Sequence, residues 1–454
     1  MRRADWLCVS AAVATMTLLA GAAGGPQIAG RSGTVRLEGR TFADDRGPWN
    51  PLGTTLFWAL WGEKHDPERL DRNLAHLAAH EVDYVRMLGM VGAPSWEDRT
   101  IDPQWPDYWD VAARLFDRLE RHGLRAQVTV FADAQVMMPG EDDRRAFVEA
   151  WARFANGRRA QVFTMEVANE AWQNGFEGDV GMVGLRRLGR QLAASTDIPV
   201  ALSSVPHEQG TWCAAYAGAG VDVATVHYDR DVSRADGPWR PVRQPWGYPD
   251  DYDTGCDGQL PKAVVNNEPI GPFSSVSADA DPERIALGYA MTFVAGNGAY
   301  VYHHGAGIRG GGAADVARGR PANLDDGDPA ALDALAAMRR LLPPGLAAWN
   351  RSAADSASMP FEGFARAVET GAIVGAYAAA SDQRVVLLVL GIEQAVPVTA
   401  HVPLRLTIYD PRTGSERQML RLDTGDAWIL DAASTGLIAI GEGTGSGPAA
   451  TEKR

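Results

Sequence analysis

The chain has 454 residues, of which 46% are hydrophobic and 22% charged, and its net charge is −14. A chain of this length is too long to fold around one small hydrophobic core, so we expect one large domain and one smaller domain. The acidic balance argues against nucleic acid and anionic membrane surfaces as partners, because both favour clustered lysine and arginine. The 14 tryptophans suit stacking against sugars, although tryptophan is also a common core residue.

Residues 1–23 are predicted to be a cleavable signal peptide. Arg2-Arg3 precede an uncharged run over residues 6–25, and Ala20-Gly21-Ala22 offers the small residues that signal peptidase needs. An uncleaved membrane anchor is the alternative, since the run approaches spanning length. We therefore expect a secreted or periplasmic protein with no membrane contact beyond this signal. Of the remaining cysteines, Cys213 and Cys256, the sequence allows either a disulfide or two free thiols.

Residues 33–50 predict a small β-hairpin, and short apolar strands then alternate with amphipathic helices. Eight strands are predicted: 51–58, 82–88, 125–131, 162–168, 199–203, 221–227, 263–267 and 299–303. Helices are predicted between them, one opened by Asp66-Pro67-Glu68 with an N-cap and a proline in its first turn. Eight such units indicate a (β/α)₈ TIM barrel, which we assign to residues 33–342.

Two regions depart from this alternation. Residues 229–259 show no helical period and contain Trp239 and Trp246, so we expect a loop that walls the cleft, or else a surface excursion held by Cys256. After Pro343-Pro344, short strands at close spacing predict a C-terminal antiparallel β-sandwich over residues 345–441. Its strands are placed at 373–377, 385–390, 396–401, 404–409, 418–422 and 427–430. Residues 442–454 are predicted to be a disordered tail.

Two predicted strands each end in a glutamate. The fourth runs into Asn169-Glu170, and the seventh runs into Asn266-Asn267-Glu268-Pro269. Catalytic residues of such barrels lie at the C-terminal ends of the strands. A pair of carboxyl groups can cleave a glycosidic bond, one protonating the leaving oxygen while the other attacks the anomeric carbon. Either glutamate alone could be a solvated surface acid, but their joint occurrence favours catalysis.

With these motifs, residues 33–342 resemble clan A of the glycoside hydrolases, the retaining group that includes family 5. The resemblance implies that Glu170 is the acid/base and Glu268 the nucleophile. It also implies that Asn169 contacts the sugar 2-hydroxyl. In Tyr84-Val85-Arg86-Met87, Arg86 would support the nucleophile. His227 and Tyr228 would position the nucleophile, one of them by a hydrogen bond.

For several other residues near the predicted site, the sequence allows both a functional and a structural role. Trp58 and Trp172 are rim aromatics for which packing is favoured, with a sugar platform as the alternative. His303 is a candidate substrate contact on strand eight, where the family often has a tryptophan. His303-His304 near His227 could suggest a metal, but adjacent strand residues point to opposite faces, so neither a metal nor a cofactor is expected. Glu166 is predicted to be structural, with tuning of Glu170 as the alternative.

The sequence therefore predicts a secreted retaining glycoside hydrolase whose partner is a β-linked oligo- or polysaccharide. A non-catalytic carbohydrate-binding protein on the same barrel is the alternative. An inverting enzyme is a third hypothesis, which requires the two carboxyl groups to lie about 6.5–9.5 Å apart.

Overall fold

The computed structural model describes residues 31–92, 96–204, 211–228, 232–233, 237–247, 260–274, 279–326, 329–432 and 435–443. The predicted signal peptide and most of the predicted tail lie outside these residues. Within them, no helix combines the length and apolar character that crossing a membrane requires.

A small antiparallel sheet closes the N-terminal end of the barrel. Its strands are β1 (Arg36–Glu38), β2 (Thr41–Asp44) and β3 (Gly47–Pro48), one strand more than the predicted hairpin. Phe42 packs on Phe163 at a ring-centroid distance of 4.5 Å, and Tyr84 stacks on Phe163 at 3.9 Å. These rings share one buried cluster with apolar residues of the barrel strands. The sheet therefore plugs the barrel at the end opposite to the strand termini that carry the glutamates.

Eight parallel strands form a closed barrel, which confirms the predicted fold class. The strands are β4 (Leu52–Thr55), β5 (Tyr84–Leu88), β6 (Arg125–Phe131), β7 (Val162–Ala168), β8 (Val200–Ala201), β9 (Val223–Val226), β10 (Ala263–Asn266) and β11 (Ala299–Tyr302). β6 and β7 have the predicted bounds. β4 ends three residues earlier than predicted, because the chain turns into a helix at Ala59.

Helices connect the strands on the outside of the barrel. In the described residues they are Ala59–His65, Pro67–Ala79, Tyr108–Arg121, Ala134–Met137, Glu141–Asn156, Gly178–Ser195, Thr211–Tyr216, Arg240–Arg243, Pro282–Val294, Gly305–Arg309, Ala313–Val316 and Ala330–Leu341. The predicted N-cap is present, since Asp66 accepts a hydrogen bond from the Arg69 amide at 3.3 Å. Leu70, Leu74 and Leu77 form the buried face of that helix, as the spacing of its leucines indicates.

The barrel interior is polar above the apolar plug. Tyr84 and Arg86 are two residues apart on β5, so both side chains lie on the same face of the strand. Arg86 bonds to Glu166 of β7 and to Glu268 after β10, strands that are not its neighbours. These bonds must cross the inside of the barrel, which places a charged layer directly beneath the rim that carries Glu170 and Glu268.

The predicted cleft-walling role of the two tryptophans in residues 229–259 is wrong. Trp239 is buried against Gly391 and Gly436 of the C-terminal domain. Trp246 packs on Tyr377 at 5.0 Å, with Arg351 over its ring. Large aromatic side chains gain more from burial between two domains than from exposure at a rim, so residues 237–247 join the barrel to the C-terminal domain. Cys256 lies outside the described residues.

The C-terminal region forms two antiparallel sheets over a shared buried core, as predicted. Its strands are β12 (Asn350–Ala353), β13 (Phe361–Glu362), β14 (Gly375–Ala380), β15 (Arg384–Leu390), β16 (Val396–Ala400), β17 (Leu404–Tyr409), β18 (Glu416–Leu422), β19 (Ala427–Leu430) and β20 (Gly436–Gly443). The sequence predicted six of them. It missed the short or polar β12 and β13, and it missed β20, which is central in the larger sheet and extends two residues past the predicted domain end. A helix, Phe364–Glu369, lies between β13 and β14.

Candidate active site

Glu170 follows β7 in a strained backbone conformation. Its φ is +36°, in the left-handed region that residues other than glycine rarely adopt. The turn is held on both sides: the Asn169 amide donates to the Phe131 carbonyl at 2.9 Å, and the Ala171 amide donates to Ser203 Oγ at 3.0 Å. Such strain persists only where the surrounding structure enforces it, and it concentrates at functional sites. The fold thus fixes where this carboxyl group is presented.

The Glu170 carboxyl group contacts two side chains and remains partly open to solvent. A hydrogen bond joins its Oε1 to His227 Nδ1 at 2.9 Å, and the group that carries the proton donates it. Gln173 Nε2 donates to Oε2. The Glu170 side chain is 18% exposed, whereas that of His227 is 5% exposed. The carboxyl group can therefore exchange a proton with a ligand on one side while His227 holds it on the other.

Glu268 follows β10 and is buried. Arg86 Nη1 donates to its Oε1 at 3.0 Å. Its Oε2 lies 3.7 Å from His227 Nδ1 and 3.7 Å from His303 Nε2. The guanidinium of Arg86 thus places a positive charge directly against this buried carboxyl group.

Arg86 is fully buried and connects the elements of this site. Its Nη2 donates to Glu166 Oε2 at 2.9 Å and to Asn169 Oδ1 at 2.8 Å. Its guanidinium carbon lies 5.0 Å from the centre of the Phe57 ring. Burial disfavours the charged guanidinium, but Glu166 and Glu268 outweigh burial and raise the pKa of Arg86 above its ordinary value. Arg86 thus remains charged and orients both Glu268 and Asn169.

Glu166 is a supporting residue that the sequence analysis classed as structural. Its Oε2 accepts from Arg86 and from Thr129 Oγ1 at 2.6 Å, and its Oε1 accepts from Asn267 Nδ2 at 3.0 Å. Asn267 in turn accepts from Gln127 at 3.1 Å. Glu166 thus contacts Arg86, which in turn contacts Glu268. None of these hydrogen bonds joins Glu166 to Glu170, so they do not support the predicted alternative that Glu166 tunes Glu170. The signal available in the sequence was a glutamate in an otherwise apolar strand.

The two glutamates lie close together. One carboxylate oxygen of Glu170, one of Glu268 and one ring nitrogen of His227 all lie within 4.8 Å of one another. Two carboxylates and an imidazole at this spacing could hold a metal ion such as zinc. They also have the spacing that paired carboxyl chemistry at a single sugar carbon requires.

The remaining predicted residues divide into two groups. His227 contacts Glu170 more closely than Glu268, so it bears on both glutamates rather than on the nucleophile alone. His303 shares a hydrogen bond with Thr55 at 2.9 Å and approaches Glu268. Trp172 is partly buried, and its ring centre lies 6.4 Å from that of His227. These three surround the glutamates.

The structure shows further contacts for Tyr228 and Trp58. The Tyr228 hydroxyl donates to Asn297 Oδ1 at 2.9 Å, a contact that the sequence analysis did not predict. Trp58 is completely buried, and its indole nitrogen donates to the Ala306 carbonyl at 3.0 Å. A ring without exposed surface cannot stack on a sugar, so the favoured packing interpretation holds for Trp58.

The structure adds Phe57 and Gln173 to the site. Phe57 covers the Arg86 guanidinium and lies 6.5 Å from the His303 ring. Gln173 contacts Glu170 three residues after it. Neither residue could be predicted from local pattern, because both lie in turns that follow the strands and not in the strands themselves.

Comparison with solved structures shows where this fold recurs. A protein described as a glycoside hydrolase matches with a TM-score of 0.64 and 12% identity, covering 91% of this chain and 97% of its own. A family 5 glycoside hydrolase from Bacteroides vulgatus matches with a TM-score of 0.63 and 12% identity, covering 91% and 94%. A family 39 glycoside hydrolase from Bacteroides cellulosilyticus matches with a TM-score of 0.50 and 13% identity, covering 88% and 86%.

No protein-family model matches the sequence, and no curated protein matches it. At identities of 12–13% the likeness establishes a shared fold over nearly the whole chain. The activity must be argued from the site itself.

Proposed function

We propose that the protein is a retaining glycoside hydrolase that cleaves β-linked oligo- or polysaccharides, with Glu268 as nucleophile and Glu170 as acid/base. The observation that carries this proposal is the spacing of the two glutamates at the C-terminal rim of the barrel, where an oxygen of each lies within 4.8 Å of the other. Retaining enzymes place their carboxyl groups about 5–5.5 Å apart, whereas inverting enzymes need about 6.5–9.5 Å to fit a water molecule. The shared fold of known glycoside hydrolases supports the same class of reaction.

In the first step, a Glu268 oxygen attacks the anomeric carbon while Glu170 donates its proton to the departing glycosidic oxygen. The C–O bond to the leaving sugar breaks as the bond to Glu268 forms. Arg86 holds Glu268 through its 3.0 Å hydrogen bond, which fixes the direction of attack. Its charge stabilises the carboxylate before attack and again when the ester is released.

In the second step, Glu170 takes a proton from water, and the resulting hydroxide attacks the anomeric carbon and displaces Glu268. The hydrogen bond between His227 and Glu170 at 2.9 Å holds the acid/base in one rotamer through both steps. Because Asn169 Oδ1 accepts from Arg86, its amide nitrogen is the group left to donate to a sugar hydroxyl. These roles need no cofactor.

The site of action that we propose is outside the cytoplasm, in the secreted or periplasmic compartment. Cys213 is disulfide-bonded, which supports this proposal because disulfides persist mainly in oxidising compartments. Sequencing the N-terminus of protein recovered from outside the cell should find a chain that begins near residue 24. Recovery of the chain with its first residues intact in the membrane fraction would favour the anchor instead.

The activity is tested by incubating the purified mature chain with a panel of β-glycosides and β-linked polysaccharides. Glu268→Ala and Glu170→Ala are measured beside it, and Glu120→Ala serves as the control because Glu120 is an exposed glutamate far along a barrel helix. We expect hydrolysis of at least one substrate that is lost in Glu268→Ala and kept in Glu120→Ala. Activity that survives both rim substitutions would overturn the assignment, and sugar binding without hydrolysis would favour a binding protein.

A further inference from the structure

Arg309 has an unsatisfied guanidinium nitrogen close to the candidate active site. It ends the short helix Gly305–Arg309, which directly follows β11 and His303 at the catalytic rim. The residue is partly buried, and its Nε is buried without a hydrogen-bond partner in the part of the chain that the structure describes. Buried polar nitrogens are nearly always bonded, so an exception calls for an explanation.

Neighbouring arginines in the same region are neutralised. Arg69 pairs with Asp66 at 3.8 Å and donates to backbone carbonyls that include that of Ala322. Arg99 pairs with Asp98 at 2.9 Å and donates to the Arg309 carbonyl at 3.1 Å. Among the described residues, no carboxylate forms an ion pair with Arg309, and its buried Nε has no hydrogen-bond partner. In a protein of net charge −14, a partly buried arginine without an acid indicates a counterion supplied from outside.

Arg309 is positioned by stacking. Its guanidinium carbon lies 5.7 Å from the centre of the Trp96 ring. The Trp96 ring lies 6.3 Å from that of Phe57, and Phe57 covers Arg86, which holds Glu268. The Trp96 ring therefore lies between Arg309 and Phe57, and Phe57 is the ring that covers Arg86. A guanidinium fixed against an aromatic face presents its planar edge to a ligand, which is the geometry that carboxylate and sulfate oxygens match.

We propose that Arg309 and Trp96 form a subsite for an anionic sugar unit next to the bond that is cleaved, so that the substrate carries carboxylate or sulfate groups. The inference rests on the proposed glycoside hydrolase function and narrows its substrate class. Arg309 supplies the charge-assisted hydrogen bonds to the anionic group, and Trp96 supplies the face that holds Arg309 in place. Hydrogen bonds to charged groups are strong enough to change affinity by about ten- to a hundredfold.

The test compares matched pairs of glycans by calorimetric binding to the full mature chain carrying Glu268→Gln, which prevents turnover. One pair is a uronic-acid-containing β-glycan and the same glycan with its carboxyl groups reduced to alcohols. The other pair is a sulfated β-glycan and its desulfated form. Each pair is then repeated with Arg309→Met added, which keeps an unbranched side chain at this position but removes the charge, and with Arg318→Met, which removes an exposed arginine later in the chain.

We expect binding of the acidic form to be about tenfold or more tighter in at least one pair, and the responding pair identifies the anion. Arg309→Met should abolish that preference, and Arg318→Met should keep it. Equal binding of acidic and neutral forms in both pairs, or a preference that survives Arg309→Met, would overturn the inference. The two proposals fail separately: hydrolysis of neutral glycans without acidic preference refutes only the subsite, whereas acidic preference without hydrolysis by the unsubstituted chain refutes only the activity.

Discussion

Replacing Glu166 with glutamine should reveal how strongly the buried charge layer supports the site. Among the described residues, the Glu166 carboxylate accepts four hydrogen bonds: two from Arg86, one from Thr129 and one from Asn267. A glutamine amide nitrogen at either position must face one of these donors, so at least one bond becomes a donor–donor clash. Arg86 also loses one of its two carboxylate partners while it remains fully buried.

Removing one partner of a buried ion pair typically destabilises a protein by about 3–5 kcal/mol. We therefore expect Glu166→Gln to lower the free energy of unfolding by this amount in guanidinium titrations. Thr129→Val is the matched control, because it removes one neutral donor to the same carboxylate and should destabilise by about 1 kcal/mol. The kcat/KM of Glu166→Gln should fall as well, since Arg86 orients Glu268. A change in unfolding free energy below about 1 kcal/mol, or one no larger than that of Thr129→Val, would refute the account of this layer.

Three further outcomes are expected. Glu170→Ala should lower kcat/KM by about 10²–10⁴-fold for substrates with poor leaving groups, the usual contribution of a general acid, and by less for activated aryl glycosides; equal losses on both would contradict its role as acid. Burial lowers the pKa of His304 to about 4 from its ordinary value of 6.5, so the unfolded chain binds a proton first as pH falls from 6.5 to 4 and stability is lost over this range. His304→Asn, which keeps a cap for the Ala306 amide, should remove up to about 3 kcal/mol of that pH dependence in unfolding titrations at pH 7 and pH 4.5, and an unchanged slope would contradict the assignment. Trp239→Ala should lower the free energy of unfolding by about 3–5 kcal/mol in the same titrations while kcat/KM changes little. A loss of activity without a loss of stability would instead indicate that Trp239 contacts the substrate.

The barrel was predictable because its strands carry local signals. β6 and β7 are rich in apolar residues and each follows a helix with a clear end, and their predicted limits match the structure. Both glutamates could be placed because each follows such a strand directly. The TIM barrel topology then brings strand ends together without any further information from the sequence.

The errors arose where tertiary contacts override local pattern. Trp58 was placed at the rim because β4 was extended three residues too far, but the chain enters a helix at Ala59 and the ring is buried. Trp239 lies in a segment without periodicity, and only its contacts with Gly391 and Gly436 show that it belongs to the domain junction. The role of Glu166 was missed for the same reason, since its partners come from three other strands or their ends.

The most direct test of the central claim is the anomeric configuration of the first sugar released, followed by proton NMR on a substrate that the chain hydrolyses. The spacing of Glu170 and Glu268 predicts two successive displacements at the same carbon, so a β-glycoside should yield the β-anomer first, with the α-anomer appearing only through later mutarotation. Release of the α-anomer first would mean a single displacement by water and would contradict the assignment of Glu268 as nucleophile.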